Sequence, residues 1–175
     1  LWAIDVDDAN PENWSGRLLF KAKDSLGQIQ PITSTPVITI NPNYPRKQGL
    51  FIMFGTGQLL TAADLTNTQT QTMYGIWDKP LASTAFTRSN LQQQTLSVVP
   101  PATSGLSVPL LTVTTNTINW SSLVGWYADL PVAGQRTITN PTILNGAFIS
   151  TLNTPPASTC GTGFTSTLLE LNYRS

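Results

Sequence analysis

The sequence predicts an all-β protein, and three observations carry that reading. Strand-favouring Thr, Val and Ile recur in short apolar runs. Clusters of Pro, Gly, Asn and Asp cut those runs at intervals that suit turns. Helical periodicity is nearly absent, and only "STAFTRSNLQQQ" (83–94) could make a short helical turn.

Taken in order, Leu1 to Val6 reads as a strand and "DDANPENW" as a turn, with Trp14 returning to the apolar phase. A short strand is expected over Leu18 to Ala22. "QPITSTPVITI" (30–40) and "GLFIMFGTG" (49–57) read as two strands joined by the Pro- and Gly-containing loop "NPNYPRKQG". "TMYGIWD" (72–78) is the next strand. From 82 to 119 the pattern weakens to two candidate strands, "LSVVPP" and "LLTVTT", around a long loop or insertion.

The last third repeats the earlier order. "RTITNPTIL" (136–144) matches "QPITSTPVI", "GAFISTL" (146–152) matches "GLFIMFG", and "STLLELN" (166–172) matches "TMYGIWD". Repeats of this size with several strands each point to a β-propeller of antiparallel blades, with a β-sandwich as the competing architecture. A chain of 175 residues holds only part of such a ring. Residues 1–175 are therefore read as one incomplete propeller domain, a piece of something larger, whose unpaired strand edges would associate in solution.

Composition narrows the function. A formal net charge of zero with 10% charged residues leaves no electrostatic footprint for nucleic acid or an anionic membrane. No apolar run is long enough to suggest membrane insertion. The chain has no histidine, so it has no histidine base, no Ser-His-Asp triad and no imidazole ligand, and its single Cys160 has no His to activate it. We therefore expect a scaffold and no enzyme, with no catalytic, cofactor-binding or metal-binding residue assigned.

Four motifs bear on that expectation. "FGTG" (54–57) lacks the longer Gly-rich run, the following helix and the Lys of a phosphate loop, so Gly55 and Gly57 read as a bend at a strand end. In "DVDDANPE" the oxygen donors Asp5, Asp7, Asp8, Asn10 and Glu12 lie close together, but Ala9, Asn10 and Gly16 break the calcium-loop spacing. Trp2, Trp14, Trp77, Trp120 and Trp126 are expected to fill space between sheets, with stacking on a sugar or quinone as the alternative. The basic spot "PRK" (45–47) carries no weight alone.

Taken together, "LWAIDVDDANPENW", "QPITSTPVI", "FIMFGTGQLLTAAD", "TQTMYGIWD", "GWYADLPVAGQRTITNPTIL" and "STCGTGFTSTLLELN" resemble, in order and spacing, the C-terminal propeller of the PilY family, called PilC in some bacteria. These are type IV pilus biogenesis and tip-associated adhesin proteins. The resemblance implies a modified quinoprotein-like propeller, exported from a Gram-negative bacterium to the pilus tip, cell surface, outer membrane or periplasm. It implies work with minor pilins and the pilus tip complex, support of pilus assembly and twitching motility, opposition to retraction, and attachment to host or abiotic surfaces. The family's calcium loop would lie upstream of Leu1, so calcium is an expectation for the parent protein alone. The Arg-Gly-Asp tripeptide is absent from this chain. Fold-marking positions are Gly55, Gly57, Gly75 and Trp77 in the first unit, and Gly125, Trp126, Asp129 and Pro131 in the second. A quinone-dependent dehydrogenase, which would need carboxylates such as Asp64, Asp78 or Asp129, and a lectin-like module with exposed Trp residues are the alternatives.

Overall fold

The computed structural model describes residues 1–79, 84–105, 107–156 and 163–173. Two strands, β1 (Trp2–Asp5) and β2 (Ser15–Leu18), form an antiparallel ribbon. A meander follows: β3 (Val37–Ile40), β4 (Leu50–Gly55) and β5 (Thr72–Trp77), each antiparallel to the next. Then come the hairpin β6 (Gln92–Val99) and β7 (Leu110–Val113), the short strand β8 (Gly125–Asp129), and a second meander of β9 (Thr142–Leu144), β10 (Ala147–Thr154) and β11 (Thr165–Asn172). The all-β, propeller-type expectation holds, and both repeated units are three-stranded antiparallel meanders.

One feature departs from purely antiparallel blades. β8 pairs antiparallel with β5 and parallel with β6, giving a six-stranded sheet in the order β3-β4-β5-β8-β6-β7. Parallel neighbours need a long crossover, and the weakly patterned stretch supplies it: β7 and the loop after it carry the chain from the far end of β6 back to the start of β8. The stretch 82–119 therefore contains a paired hairpin. Its helical content among the described residues is a turn at Arg88–Asn90 and one at Pro101–Ser104.

Two strand boundaries also shift. Residues 19–23 are irregular: the Leu19 and Phe20 amides both donate to Leu1 O, and Phe20 bridges singly to Phe86. The expected strand over 30–40 is regular only from Val37, because Pro31 and Pro36 cannot donate to a ladder.

The burial pattern explains the layering. Every residue of β5 and all but the first of β4 are buried, as in strands covered on both faces. Alternate residues serve two cores. Phe51, Met53, Met73 and Trp77 face Phe148, Leu152, Leu169 and Leu171 of the second meander. Ile52, Phe54, Tyr74 and Ile76 face Leu19, Phe20 and Ala22, with Leu1 and Ala3 packed alongside. The result is three stacked layers: ribbon, six-stranded sheet, three-stranded sheet. The outer face of the ribbon carries Trp2 and Ile4, 65% and 69% exposed, so Trp2 and Trp14 do not fill the core as expected.

The β5–β8 contact is the tightest joint. Gly75 lies opposite Trp126, and a Cβ on Gly75 would stand 2.5 Å from the indole Cε2. At Gly125, φ is +156° and a Cβ would run into the Gly75 carbonyl oxygen. Gly125→Ala is expected to cost about 3 kcal/mol or more, through overpacking and backbone strain. Gly16→Ala, with nothing within 4 Å of the added carbon, should leave the urea midpoint nearly unchanged. Equal midpoints for the two variants would contradict this account of the joint.

Candidate functional site

The "FGTG" stretch is a packing device. The Thr56 amide donates to Thr72 O at 3.0 Å and the Gly57 amide to Pro31 O at 2.8 Å, so these amides are already committed to protein carbonyls. A Cβ on Gly55 would reach Thr137 Cβ at 2.6 Å, and one on Gly57 would reach Arg136 Cβ at 2.5 Å. The glycines let the 136–137 segment cross the strand end at close range.

That crossing delivers Arg136, which closes the "GWYADLPVAGQR" part of the family resemblance and was given no role in the sequence reading. Its guanidinium is buried and donates to four carbonyls: Gly134 at 2.8 Å, Gln58 at 2.9 Å, Asp64 at 2.6 Å and Asn67 at 2.7 Å. Asp64 fixes the same loop from within. Its carboxylate accepts from Gln58 Nε2 at 2.7 Å and from the amides of Leu60 and Thr61 at 2.9 and 2.8 Å. The Gln58 bond first, then the two amides, lower its pKa from 3.8 to about 2.

The fold-marking polar residue, Asp129, ends β8 and accepts from Thr72 Oγ1 at 2.7 Å. It also forms an ion pair with Arg88, whose guanidinium lies 3.8 Å from the Tyr127 ring centroid. Asp78 pairs with Arg17, joining β5 to the ribbon. The three carboxylates weighed for quinone chemistry thus each have a structural partner. Pro131 follows Leu130, whose amide donates to Gln71 O at 2.9 Å.

The acidic turn is occupied by its own backbone. Asp8 accepts from the Asn10 amide and Asn13 Nδ2, both at 2.8 Å, and Asp5 accepts from the Asp7 amide at 3.1 Å. Such bonds define Asx turns. Among the described residues no group of three or more His, Cys, Asp or Glu side chains is placed to hold a metal ion. These residues do not fit a calcium loop. Cys160 lies outside the described residues.

One aromatic-lined surface feature is a recess of about 550 Å³ where three segments meet. Tyr44, Lys47 and Gln48 come from the β3–β4 loop, Trp77 and Lys79 from the end of β5, and Trp120 and Ser121 from the loop before β8. Tyr44 stacks on Trp77 with centroids 5.2 Å apart and an 8° interplanar angle. Trp120 stands edge-on to Trp77 at 5.9 Å and to Tyr44 at 6.1 Å. Lys79 Nζ donates to Trp120 O at 2.7 Å and Leu123 O at 3.2 Å. Burial, and then the Lys47 charge, lower the Lys79 pKa. Lys47 belongs to the discounted "PRK" spot. Its relevance comes from a lysine and two tryptophans that are distant in sequence.

Stacked antiparallel meanders suit β-propeller blades, and the comparisons with known proteins decide for a β-propeller segment over a β-sandwich. Residues 6–104 match the family model of the PilY1 β-propeller domain. The type IV pilus biogenesis factor PilY1 of Pseudomonas aeruginosa PAO1 is 33% identical over 137 residues, covering 70% of this chain and 12% of that protein. A PilY1 homolog of Xylella fastidiosa Temecula1 is 29% identical over 190 residues, covering 100% of this chain and 12% of its own length. The crystal structure of the P. aeruginosa PilY1 C-terminal domain superposes with a TM-score of 0.72 at 27% identity, covering 93% of this chain and 36% of that one. This chain belongs to the PilY1 β-propeller family. It spans about 12% of the length of the curated relatives it matches.

Two variants test the clasp. Arg136→Ala orphans several buried carbonyls and is expected to cost about 3 kcal/mol or more, with proteolytic cleavage appearing first within 58–67. Asp64 has a depressed pKa in the folded chain, so its contribution is complete above its unfolded value and is lost as pH falls from about 4 to about 2. The urea midpoint of Asp64→Asn should therefore fall less than that of the parent across this window. An equal fall in both would refute the assignment.

Proposed function

We propose that this chain is a scaffold segment of an exported PilY1-type factor that promotes type IV pilus assembly, counters pilus retraction and aids surface attachment and twitching. The observation that carries this reading is the match across 93% of the chain to the PilY1 C-terminal domain, joined to relatives named as type IV pilus biogenesis factors. The role is non-enzymatic. Asp64, Asp78 and Asp129, the acids a quinone enzyme would draw on, are engaged in holding loops and strands together.

Minor pilins and the pilus tip complex are the partners in this reading, and the factor works at the cell surface or the pilus tip. Calcium in this reading is a property of the parent polypeptide and is assigned to no residue of this chain, where Asp5 and Asp8 of the acidic turn accept from the Asp7 and Asn10 amides. No helix among the described residues is long and apolar enough to cross a membrane.

Deleting the parent gene should remove surface pili, and deleting the retraction motor as well should restore them. Unchanged pilus counts in both strains would sink the pilus assignment.

A further inference from the structure

We propose that the recess formed by Tyr44, Lys47, Gln48, Trp77, Lys79 and Trp120 binds a carboxylate-bearing sugar, a uronic acid unit of an acidic polysaccharide. The site stands on its own geometry and is independent of the pilus assignment. Its volume of about 550 Å³ suits one or two sugar rings and lies within the usual range of small-ligand clefts, roughly 300–1,000 Å³.

The charge comes first. Two ammonium groups line one recess, and neither has a carboxylate partner among the described residues, where the ion pairs are Arg17–Asp78 and Arg88–Asp129. Converging like charges without a counter-ion favour an incoming anion. Lys79 is already held in place by the Trp120 and Leu123 carbonyls. An ammonium has three donors, so one N–H remains for the ligand, and little side-chain entropy is lost on binding. Lys47 sits 5.0 Å from the Tyr44 ring centroid on an exposed stem.

The walls select among anions. The half-buried Tyr44 and Trp120 rings, backed by the buried Trp77, offer an apolar surface that a bare phosphate does not use, whereas a pyranose presents a C–H face to such rings. Gln48 and Ser121 add an amide and a hydroxyl at the rim, matched to sugar hydroxyls.

The test is calorimetry and tryptophan quenching on the full-length polypeptide carrying this chain. The probes are trimers of galacturonate, glucuronate and mannuronate, a neutral galactose trimer and a Glu-rich peptide. At least one uronate trimer is expected to bind, at least tenfold more tightly than the neutral trimer, with affinity falling as salt rises. Lys47→Gln should weaken that binding about tenfold, the loss of one charge-assisted hydrogen bond, and Trp120→Ala should weaken it as well. Lys47 is exposed, so the urea midpoint of Lys47→Gln should match the parent, which separates loss of the site from loss of the fold. The pilus reading is tested by the gene deletions and not by this binding measurement. Absence of binding by every uronate, equal binding of the neutral trimer, indifference to both substitutions, or tighter binding of the Glu-rich peptide would each overturn the proposal.

Discussion

The close approach of β5 and β8 is the constraint on which the rest of the structure depends. Where Gly75 faces Trp126, the sheet has no Cβ to spare, and the indole fills the space a side chain would take. This contact brings the first meander against β8, and β8 in turn holds β6 in a parallel register. Without it the six-stranded sheet would separate into a meander and a hairpin. Both cores would open, because β4 and β5 supply residues to each.

Polar side chains then hold what the apolar layers cannot. Tyr74 is buried within the aromatic cluster of Phe20 and Phe54, yet its hydroxyl donates to Gln30 Oε1 at 2.8 Å, and Gln30 Nε2 reaches Thr72 Oγ1 at 2.8 Å. Arg136 plays the corresponding part for the long loop after β4, and Arg88 with Asp129 for the end of β8. In a chain with 10% charged residues, several of the few charges are structural fasteners, each answering buried or half-buried polar groups that would otherwise be costly.

Much of this was legible in the sequence. Runs such as "GLFIMFG" and "TMYGIWD" read as strands, and the repeat of "QPITSTPVI" in "RTITNPTIL" announced the second meander; that β4 and β5 are covered on both faces came from the structure. The bend at Gly55 and Gly57 followed from the absence of phosphate-loop chemistry. What escaped was long-range. Nothing local in "GWYAD" says that it slots between β5 and β6, nothing in "AGQRT" says that Arg136 clasps a loop about 70 residues away, and nothing in "PRK" points at Trp77 and Trp120. Periodicity reports which face of a strand is apolar, and a neighbour distant in sequence leaves no trace in it. The exposure of Trp2 and Trp14 was missed for a related reason: a two-stranded ribbon has one covered face, Trp2 is exposed on the ribbon, and Trp14 lies in the turn with its Nε1 donating to Asp8 O.

The strand order also sets a timetable. β4 and β5, and β6 and β7, are neighbours in sequence and can pair early, but the lane between β5 and β6 belongs to β8, made after both. Until residues 125–129 arrive, two half-sheets wait with facing edges whose amides and carbonyls lack partners, the kind of template that recruits wrong strands. A chain made from its N-terminus meets that interval each time it folds, so insertion of this one short strand governs how long the unfinished sheet stays adhesive to its neighbours.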